Sequence, residues 1–423
     1  MSVFFSFIIP AFNSKKTIKR SLKSVINKNY TKNEIIIIDD KSSDGSLNKV
    51  NLSREIKNLK ITIIKNKKNK GPGISRNEGI KKAKGKYLIF LDSDDQIISK
   101  SLKKFESEII KNKYPDLILG LYKKDSYPYS NKIFFKGVNK KSYQTNKIFL
   151  TNIKRRKLIL DECWPLIVKR KFLLKKKLFF PILRINEDQV FTNKLILNVK
   201  KILLLNEYFY YHSNSKKGLS KDFGIRRCKN YIASFFLMIK IIREQNIKIY
   251  QKNYLITVFE EIISNFISSL ILIEDYQIKN LVNSEYKLNK NLVNAPIIRN
   301  FIKNKDFLEL IKNFEKKKIQ FFIKNYLIKR KIYLTEKKLD KFQIYIYCNT
   351  SLAHNCKKIL NYFKFDFKKI IEDKDLEKNK KYFKRVASKD TCVLICNSKV
   401  EIQKRIKTKL KKFGFKNIFI YED

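Results

Sequence analysis

The stretch from Tyr87 to Asp95 constrains the fold and the chemistry of this chain more than any other. Its first five residues, ending at Leu91, are bulky and apolar, which is typical of a strand buried on both faces of a sheet. Three carboxylates follow within four positions, and Asp92 and Asp94 flank a single residue. Such a pair offers hard oxygen ligands to Mg²⁺ or Mn²⁺, but an acidic loop that caps the next helix has the same pattern.

Apolar runs that alternate with helical patterns predict a parallel α/β sheet in the first 125 residues. The predicted strands are residues 4–9, 35–38, 61–64, 87–91 and 117–121. The segments between them have apolar residues at helical spacing, with Asn13 or Ser14 expected to cap the first helix and Ser99 a later one. The fold class is therefore predicted to be α/β, with a mostly parallel sheet flanked by helices.

Polar residues gather where the predicted strands end. They lie in the segments Pro10–Asn13, Asp39–Gly45, Asn66–Gly73 and Asp92–Asp95. In open α/β sheets, ligands bind outside the carboxyl ends of the strands. Because a purely stabilising role would not require carboxylates from separate strands to meet at one edge, we predict a binding site there.

The residue types at this edge suit a nucleotide diphosphate. Asp39 and Asp40 can accept hydrogen bonds from a base or a ribose, and the ring of Phe12 can contact the base. Gly71 permits close approach of the backbone, and Arg76, one helical turn later, can reach a phosphate. A G-x-G-x-x-G motif after the first predicted strand is absent from the sequence, which argues against a nicotinamide or flavin enzyme.

Four motifs, in this order and at this spacing, resemble those of family 2 glycosyltransferases with the GT-A fold. They are Phe7–Asn13, Ile35–Gly45, Gly71–Asn77 and Phe90–Asp95. The resemblance implies an inverting hexosyl- or N-acetylhexosaminyltransferase that uses a nucleotide-diphosphate sugar, usually UDP-linked, and a Mg²⁺ or Mn²⁺ cofactor held by Asp92 and Asp94. Donor binding is expected from Pro10, Phe12, Asn13, Asp39, Asp40, Gly71, Arg76, Asp92 and Ser93. Phe12 stands where the family often has Tyr, which removes one hydroxyl contact.

The second half of the same catalytic domain is resembled by four later segments, so the resemblance covers about residues 3–220. These segments are Cys163–Arg170, Phe179–Pro181, Arg184–Phe191 and Tyr210–His212. Glu187 and Asp188 begin a helical stretch, where an acidic pair also favours the helix dipole. The resemblance assigns Asp188 the role of general base. His212 is expected to be a third metal ligand or a phosphate contact, although a hydrogen-bonded structural histidine fits the sequence as well. Trp164, the only tryptophan, can stack on a sugar or fill the core.

The length of 423 residues exceeds one ordinary core, so we expect several domains. Residues 1–222 are predicted to form the GT-A catalytic domain, and residues 223–340 a helical region. Residues 341–423 are predicted to form a small Rossmann-like α/β domain, with strands near 342–347, 391–396 and 417–421.

The formal net charge of +55 points to an anionic partner, such as a membrane surface, a phosphorylated substrate or a nucleic acid. Most of the excess is Lys, and the chain is also rich in Ile and Asn, so AT-rich codon usage is an alternative source of the charge. The sequence contains no uninterrupted apolar stretch of 18 residues and opens without a basic signal-peptide region. We expect a cytoplasmic protein, with peripheral contact at the inner face of the membrane as an open option.

The predicted function is the transfer of a sugar from a nucleotide-diphosphate donor to a glycan or lipid-linked acceptor, with inversion, in surface polysaccharide biosynthesis. Two rival hypotheses are a non-catalytic GT-A-like scaffold subunit and a basic nucleic-acid-binding protein. The presence of Asp92, Asp94 and Asp188 argues against the first. The scarcity of Arg, the residue best suited to bidentate phosphate contacts, argues against the second, and no nucleic-acid partner is expected.

Overall fold

The computed structural model describes most of the first 270 residues and part of the remainder. The described residues are 2–26, 30–47, 60–124, 140–155, 160–213, 225–244, 246–270, 339–347, 367–371, 379–387, 390–396 and 400–420, with the single residues 135, 138, 356, 360 and 365. The chain divides into two compact units, one of residues 1–153 and 160–218, the other of residues 154–159 and 219–423.

Nine of the described strands of the first unit form one mixed sheet. They are β1 Phe5–Ala11, β2 Asn33–Asp39, β3 Lys60–Lys65, β4 Tyr87–Phe90, β5 Gln96–Ile97, β6 Leu117–Lys124, β7 Lys141–Thr145, β8 Leu166–Lys169 and β9 Lys201–His212. Their order is β3-β2-β1-β4-β8-β6-β9-β5, and β7 also pairs with β9. The first four strands in this order run parallel, as predicted, whereas β8 is antiparallel to both of its neighbours.

The central strands carry the core because both of their faces are covered. Strand β2 and strand β4 are buried along their whole length, in keeping with the apolar runs 35–38 and 87–90 that they contain. Strand β3, at the edge, is mostly exposed. The core on one face of the sheet includes Phe7 and Ile37 from the strands and Leu22 and Phe105 from the helices. On the other face, Gly79 lies against Ile8 and Ile38.

Six of the described helices begin within the first unit. They are α1 Ile18–Val25, α2 Pro72–Lys82, α3 Leu102–Lys111, α4 Asn146–Arg155, α5 Arg170–Lys175 and α6 Glu187–Asn198. Pro72 occupies the first turn of α2, where its missing N–H costs nothing, and Gly71 before it has a positive φ of 92°.

The predicted helix caps were wrong. Thr17 precedes α1, and no side chain caps that helix. Asn13 has a positive φ of 48° and belongs to the preceding loop, and Ser14 acts through its carbonyl oxygen, which accepts from the backbone N–H of Ile18. A short 3₁₀ turn at Ser99–Ser101 separates Ser99 from α3. The side-chain oxygen of Asn13 is taken up by another loop, where it accepts a hydrogen bond from the backbone N–H of Ser43.

The second unit contains helices and a separate small sheet. The described elements are α7 Ile225–Glu244, α8 Ile249–Leu270, β10 Gln343–Tyr347, β11 Phe367–Ile371, α9 Lys380–Val386, β12 Thr391–Ile395, α10 Val400–Lys412 and β13 Asn417–Ile420. The sheet is parallel, in the order β11-β10-β12-β13, and three of its strands match the predicted ones. Residues 271–338 of the predicted helical region lie outside the described residues. No helix in the described part of the chain is long and apolar enough to span a membrane.

Candidate functional site

The loops that follow β1 and β2 are joined by hydrogen bonds at the carboxyl edge of the sheet. The backbone N–H of Asn13 donates to the hydroxyl of Ser42 at 3.0 Å, and the side-chain oxygen of Asn13 accepts from the N–H of Ser43 at 2.9 Å. Pro10 lies in β1 opposite Ile38. Phe12 is 50% exposed beside this junction, so its ring is free to meet a ligand. The strand register thus brings the first two predicted loops together.

Asp39 and Asp40 shape the same edge from the end of β2. The Oδ1 of Asp39 accepts from the N–H of Ser42 at 3.0 Å. Asp40 is buried, and its carboxylate accepts from Asn66 Nδ2 at 2.9 Å, Lys70 N at 2.8 Å and Gly71 N at 2.7 Å. Asp40 therefore fixes the loop that leads into α2. Contact of either aspartate with a nucleotide stays a prediction.

Arg76 lies in a buried cluster of charges rather than on an open surface. Its side chain is 5% exposed, its Nη1 lies 2.7 Å from Glu187 Oε1, and its Nη2 lies 2.7 Å from Asp92 Oδ1. The guanidinium also lies 5.3 Å from the centre of the Phe180 ring. Burial alone would lower the pKa of Arg76, but Asp92 and Glu187 outweigh it and hold this pKa well above its ordinary value. The predicted phosphate contact of Arg76 is not tested by these distances.

Glu187 and Asp188 begin α6 and differ in what they contact. Glu187 is buried in its ion pair with Arg76. Asp188 is only partly buried, and its Oδ1 accepts a hydrogen bond from the N–H of Gln189 at 2.9 Å. Burial, followed by the neighbouring carboxylate of Glu187, raises the pKa of Asp188 above the usual aspartate range, while Arg76 opposes the shift. Glu187 is thus the carboxylate paired with Arg76, and the role of Asp188 as general base stays a prediction.

The segment after β4 places three carboxylates close together. Burial raises the pKa of Asp94 to about 6, with further contributions from Asp92 and Asp95. Asp95 is fully buried and accepts hydrogen bonds from Tyr210 Oη at 2.7 Å and from Ser213 N at 2.8 Å. Ser93 is part of the turn between Asp92 and Asp94, and its predicted donor contact stays a prediction.

His212 is held by Asp95 and by the only tryptophan. Its Nδ1 lies 2.9 Å from Asp95 Oδ2, and its ring stacks on Trp164 with centroids 4.9 Å apart and an angle of 4°. Trp164 is 4% exposed and stacks on Tyr210 as well, so it fills the interior of this cluster. Burial lowers the pKa of His212, but Asp95 overcomes this and raises it. Only Nε2 of His212 is left for the predicted contact with a metal or a phosphate.

The donor set at this edge fits a divalent cation completed by a ligand. Within the described residues, no group of three or more His, Cys, Asp or Glu side chains is arranged to hold a metal on its own. Asp92 and Asp94 supply two carboxylates whose mutual repulsion contributes to the raised pKa of Asp94, and a cation would relieve that repulsion. Mg²⁺ commonly takes one or two protein carboxylates together with phosphate oxygens and water. The metal site stays a prediction.

Sequence reasoning missed the residues that fix this segment from neighbouring elements. Arg20 of α1 donates to the backbone oxygen of Asp94 at 2.7 Å and to Ser213 Oγ at 3.0 Å. Asp95 was recognised only as one of three nearby carboxylates, although it connects the segment to the end of β9. A fully buried aspartate is informative only when its partners are known, and Tyr210 and Ser213 are more than a hundred residues away in the sequence.

The sequence matches a family model and several curated proteins. The sequence model of the family described as "Glycosyl transferase family 2" matches residues 6–176. The chain is 30% identical over 257 residues to a poly(ribitol-phosphate) β-glucosyltransferase of Bacillus spizizenii, which covers 60% of this chain and 39% of that protein. It is 36% identical over 107 residues to the Escherichia coli protein WfgD, a UDP-Glc:α-D-GlcNAc-diphosphoundecaprenol β-1,3-glucosyltransferase, covering 25% of this chain and 41% of that one.

The chain is also similar to a solved structure. The crystal structure of Staphylococcus aureus TarS 1–349 in complex with UDP aligns with a TM-score of 0.57 and 23% identity, covering 76% of this chain and 89% of that one. By sequence, TarS, a poly(ribitol-phosphate) β-N-acetylglucosaminyltransferase, is 31% identical over 225 residues, which are 51% of this chain and 36% of TarS. The structural likeness confirms the predicted GT-A fold. This chain spans well under half the length of these curated relatives.

Proposed function

We propose that the chain is an inverting, metal-dependent glycosyltransferase, on the premise that its residues 6–176 match the sequence model "Glycosyl transferase family 2". Its donor is a nucleotide-diphosphate sugar, in our proposal a UDP-linked hexose or N-acetylhexosamine. Its acceptor is a glycan or a lipid-linked glycan in surface polysaccharide biosynthesis. We place the transfer in the cytoplasm, with the membrane surface as a site of peripheral contact.

One observation carries the proposal: the segments that follow β2 and β4 and the start of α6 bring their carboxylates to one edge of the sheet. Asn13 connects the ends of β1 and β2, and Asp40 connects β2 to the loop before α2. Arg76 connects Asp92, after β4, to the start of α6. These contacts bring the exposed ring of Phe12 and two carboxylate clusters to the edge of the sheet at which open α/β sheets bind nucleotides.

The donor side of the reaction uses the residues at the strand ends. We propose that Phe12 contacts the base and that Asp39 accepts from the base or the ribose. Gly71, which has no side chain, lets the backbone approach the diphosphate. Asp92 and Asp94 would hold Mg²⁺ or Mn²⁺, which when bound offsets the charge that develops on the departing diphosphate.

The acceptor side uses Asp188 as the general base. In an inverting transfer, the acceptor hydroxyl attacks the anomeric carbon from the face opposite the departing diphosphate. The hydroxyl must lose its proton as the new bond forms, and the carboxylate of Asp188 accepts it. Glu187 is already paired with Arg76, so it is not available for this step. The raised pKa of Asp188 makes its carboxylate a stronger base than an ordinary aspartate once it is deprotonated.

The acceptor class follows from the relatives and from charge. Two of the similar proteins act on poly(ribitol-phosphate) and a third on a diphosphoundecaprenol-linked sugar, by their names. Both acceptors carry phosphate groups, and this chain has a formal net charge of +55. Long-range attraction between the two would raise the rate of encounter. We propose that the acceptor is anionic.

The test is a screen of nucleotide sugars with the full chain. UDP-glucose, UDP-N-acetylglucosamine and the corresponding GDP sugars are each added with and without Mn²⁺, and thermal unfolding and hydrolysis or transfer are measured. We expect one UDP sugar to raise the unfolding temperature only when the metal is present, and to be consumed when an anionic acceptor is added. Binding without any turnover on several acceptors would instead support a scaffold subunit.

A further inference from the structure

One face of α2 is docked directly onto the segment that leads into α6. Gly73, Arg76 and Asn77 are three and four residues apart and therefore share that face. Asn77 Nδ2 donates to the backbone oxygen of Phe180 at 2.9 Å, and Asn77 Oδ1 accepts from the N–H of Phe180 at 2.8 Å. At Gly73 an added Cβ would lie only 2.8 Å from Glu187 Cγ. The two helix starts are thus held in close contact by specific groups.

Arg76 connects α2 to two other parts of the site, the segment after β4 and the start of α6. Its two terminal nitrogens each lie 2.7 Å from a different carboxylate, Glu187 at the first position of α6 and Asp92 at the end of β4. Both Arg76 and Glu187 are almost completely buried. Buried charges are tolerated when they are paired, and removing one partner leaves the other uncompensated. Arg76 therefore cannot turn to a free phosphate without leaving two carboxylates unpaired.

The planar guanidinium has a fixed fork geometry, so its two carboxylate partners are held at a fixed separation. Asp92 lies on the donor side of the site. Glu187 is followed directly by Asp188, the proposed base. A shift of Glu187 therefore moves the base relative to the donor.

We propose that Arg76 is a positioning residue that sets the place of Asp188 relative to Asp92, instead of a ligand of the donor phosphate. This inference rests on the proposed function, because it assigns a role within that reaction. It predicts that breaking the Arg76–Glu187 contact slows the transfer while the donor still binds.

The experiment compares Arg76→Lys and Glu187→Gln with the wild-type full chain. A lysine ammonium lacks the planar fork and cannot hold both carboxylates in the same way. Since a misplacement of about 1 Å can cost about 10²-fold in rate, we expect kcat to fall about 10- to 100-fold in each variant. The affinity for UDP and the KM for the acceptor should remain near the wild-type values. Lys82→Gln, an exposed charge on the same helix, is the matched control and should leave all three quantities unchanged.

The double variant Arg76→Lys/Glu187→Gln tests whether the two residues act through one contact. If they do, its kcat should be no lower than that of the worse single variant. A kcat equal to the product of two independent losses would overturn the inference. So would a kcat that is unchanged in either single variant.

Affinities for uridine and UDP separate positioning from phosphate binding. If Arg76 bound a donor phosphate, Arg76→Lys would weaken the affinity for UDP and leave the affinity for uridine unchanged. The loss of UDP affinity would then be as large as the loss of kcat/KM. That result would overturn the inference. If Arg76→Lys does not fold, Glu187→Gln decides alone, because it removes one charge with little change in size. A wild-type chain that neither binds UDP nor transfers sugar would overturn the proposed function and this inference together. With an active wild type, these variants test the inference alone.

Discussion

Asp188 and its neighbour Glu187 give the sharpest prediction for a single residue. Asp188→Asn should retain UDP affinity and lose about 10²–10⁴-fold in kcat, because an amide cannot accept the proton of the acceptor. Since burial and Glu187 raise the pKa of Asp188, its carboxylate fraction grows as the pH rises through that raised value. In a plot of kcat against pH, the rise on the acidic side should therefore occur at a higher pH than it would for an aspartate of ordinary pKa. Asp188→Asn should abolish this rise. Normal turnover in Asp188→Asn beside an inactive Glu187→Gln would show that the base is Glu187.

Asp94 is the residue whose loss should remove the metal. Asp94→Ala deletes one of the two carboxylates that face the expected cation, so Mn²⁺ should no longer strengthen UDP binding. The fold should survive, because the deleted carboxylate is partly buried and its pKa is raised to about 6, so its charge is unfavourable in the folded state. Titration of UDP with and without chelator, in the wild type and in Asp94→Ala, measures the effect. Full activity of the wild type in excess chelator would contradict the metal assignment.

At the same scale, the sequence predicted which positions meet but not what each side chain does. Asp40, Arg76 and Asp92 were all placed correctly at the strand-end edge. Their side-chain contacts were not foreseen, because these hydrogen bonds depend on the positions of residues 16 to 111 places away in the sequence. Asp95 shows the same limit: its burial under Tyr210 follows from the pairing of β5 with β9, which no local pattern reveals.

At the scale of elements, the contact between α2 and α6 leads to a prediction about Gly73. In an isolated helix, Gly→Ala is stabilising by about 0.5–1 kcal/mol. Here the new Cβ would lie 2.8 Å from Glu187 Cγ and 3.1 Å from the backbone oxygen of Pro181. Overpacking of this kind costs about 1–3 kcal/mol, so Gly73→Ala should lower the free energy of unfolding and reduce kcat. Urea unfolding measures the change, with Lys82→Ala on the exposed face of the same helix as the control. A Gly73→Ala protein as stable as Lys82→Ala would show that the two helix starts are not in close contact.

The strands were predicted better than the helix starts or the sheet order. Strands β1, β2 and β4 contain short apolar runs whose burial on both faces leaves a clear signal in the sequence. Strand β8 lies between β4 and β6 and is antiparallel to both, although it comes after them in the sequence. Such an insertion depends on long-range pairing, which residue periodicity does not encode.

For the whole molecule, the formal charge of +55 leads to a prediction about membranes. Clustered basic residues near an anionic surface contribute about 1 kcal/mol each, and salt screens this attraction. The full chain should therefore sediment with vesicles that contain anionic lipid at low ionic strength and be released at high salt. Vesicles of zwitterionic lipid are the control. Equal binding to both kinds of vesicle would show that the charge is not the cause of the contact.

The last prediction concerns residues 341–423, which we propose form a separate domain. The donor-site candidates, from Pro10 to His212, all belong to the first compact unit. The small parallel sheet has its own core, in which Tyr345, Val393 and Ile406 are buried together. A chain cut after Asp340 should therefore keep the core of the first unit and bind UDP with unchanged affinity. Calorimetric titration measures the affinity, and circular dichroism checks that the shortened chain is folded. Asp94→Ala in the same shortened chain should lose the metal-dependent part of that binding, which shows that the site itself is being measured. A folded shortened chain without UDP affinity would mean that the last 83 residues contribute to the donor site, since residues 341–423 are what the cut removes.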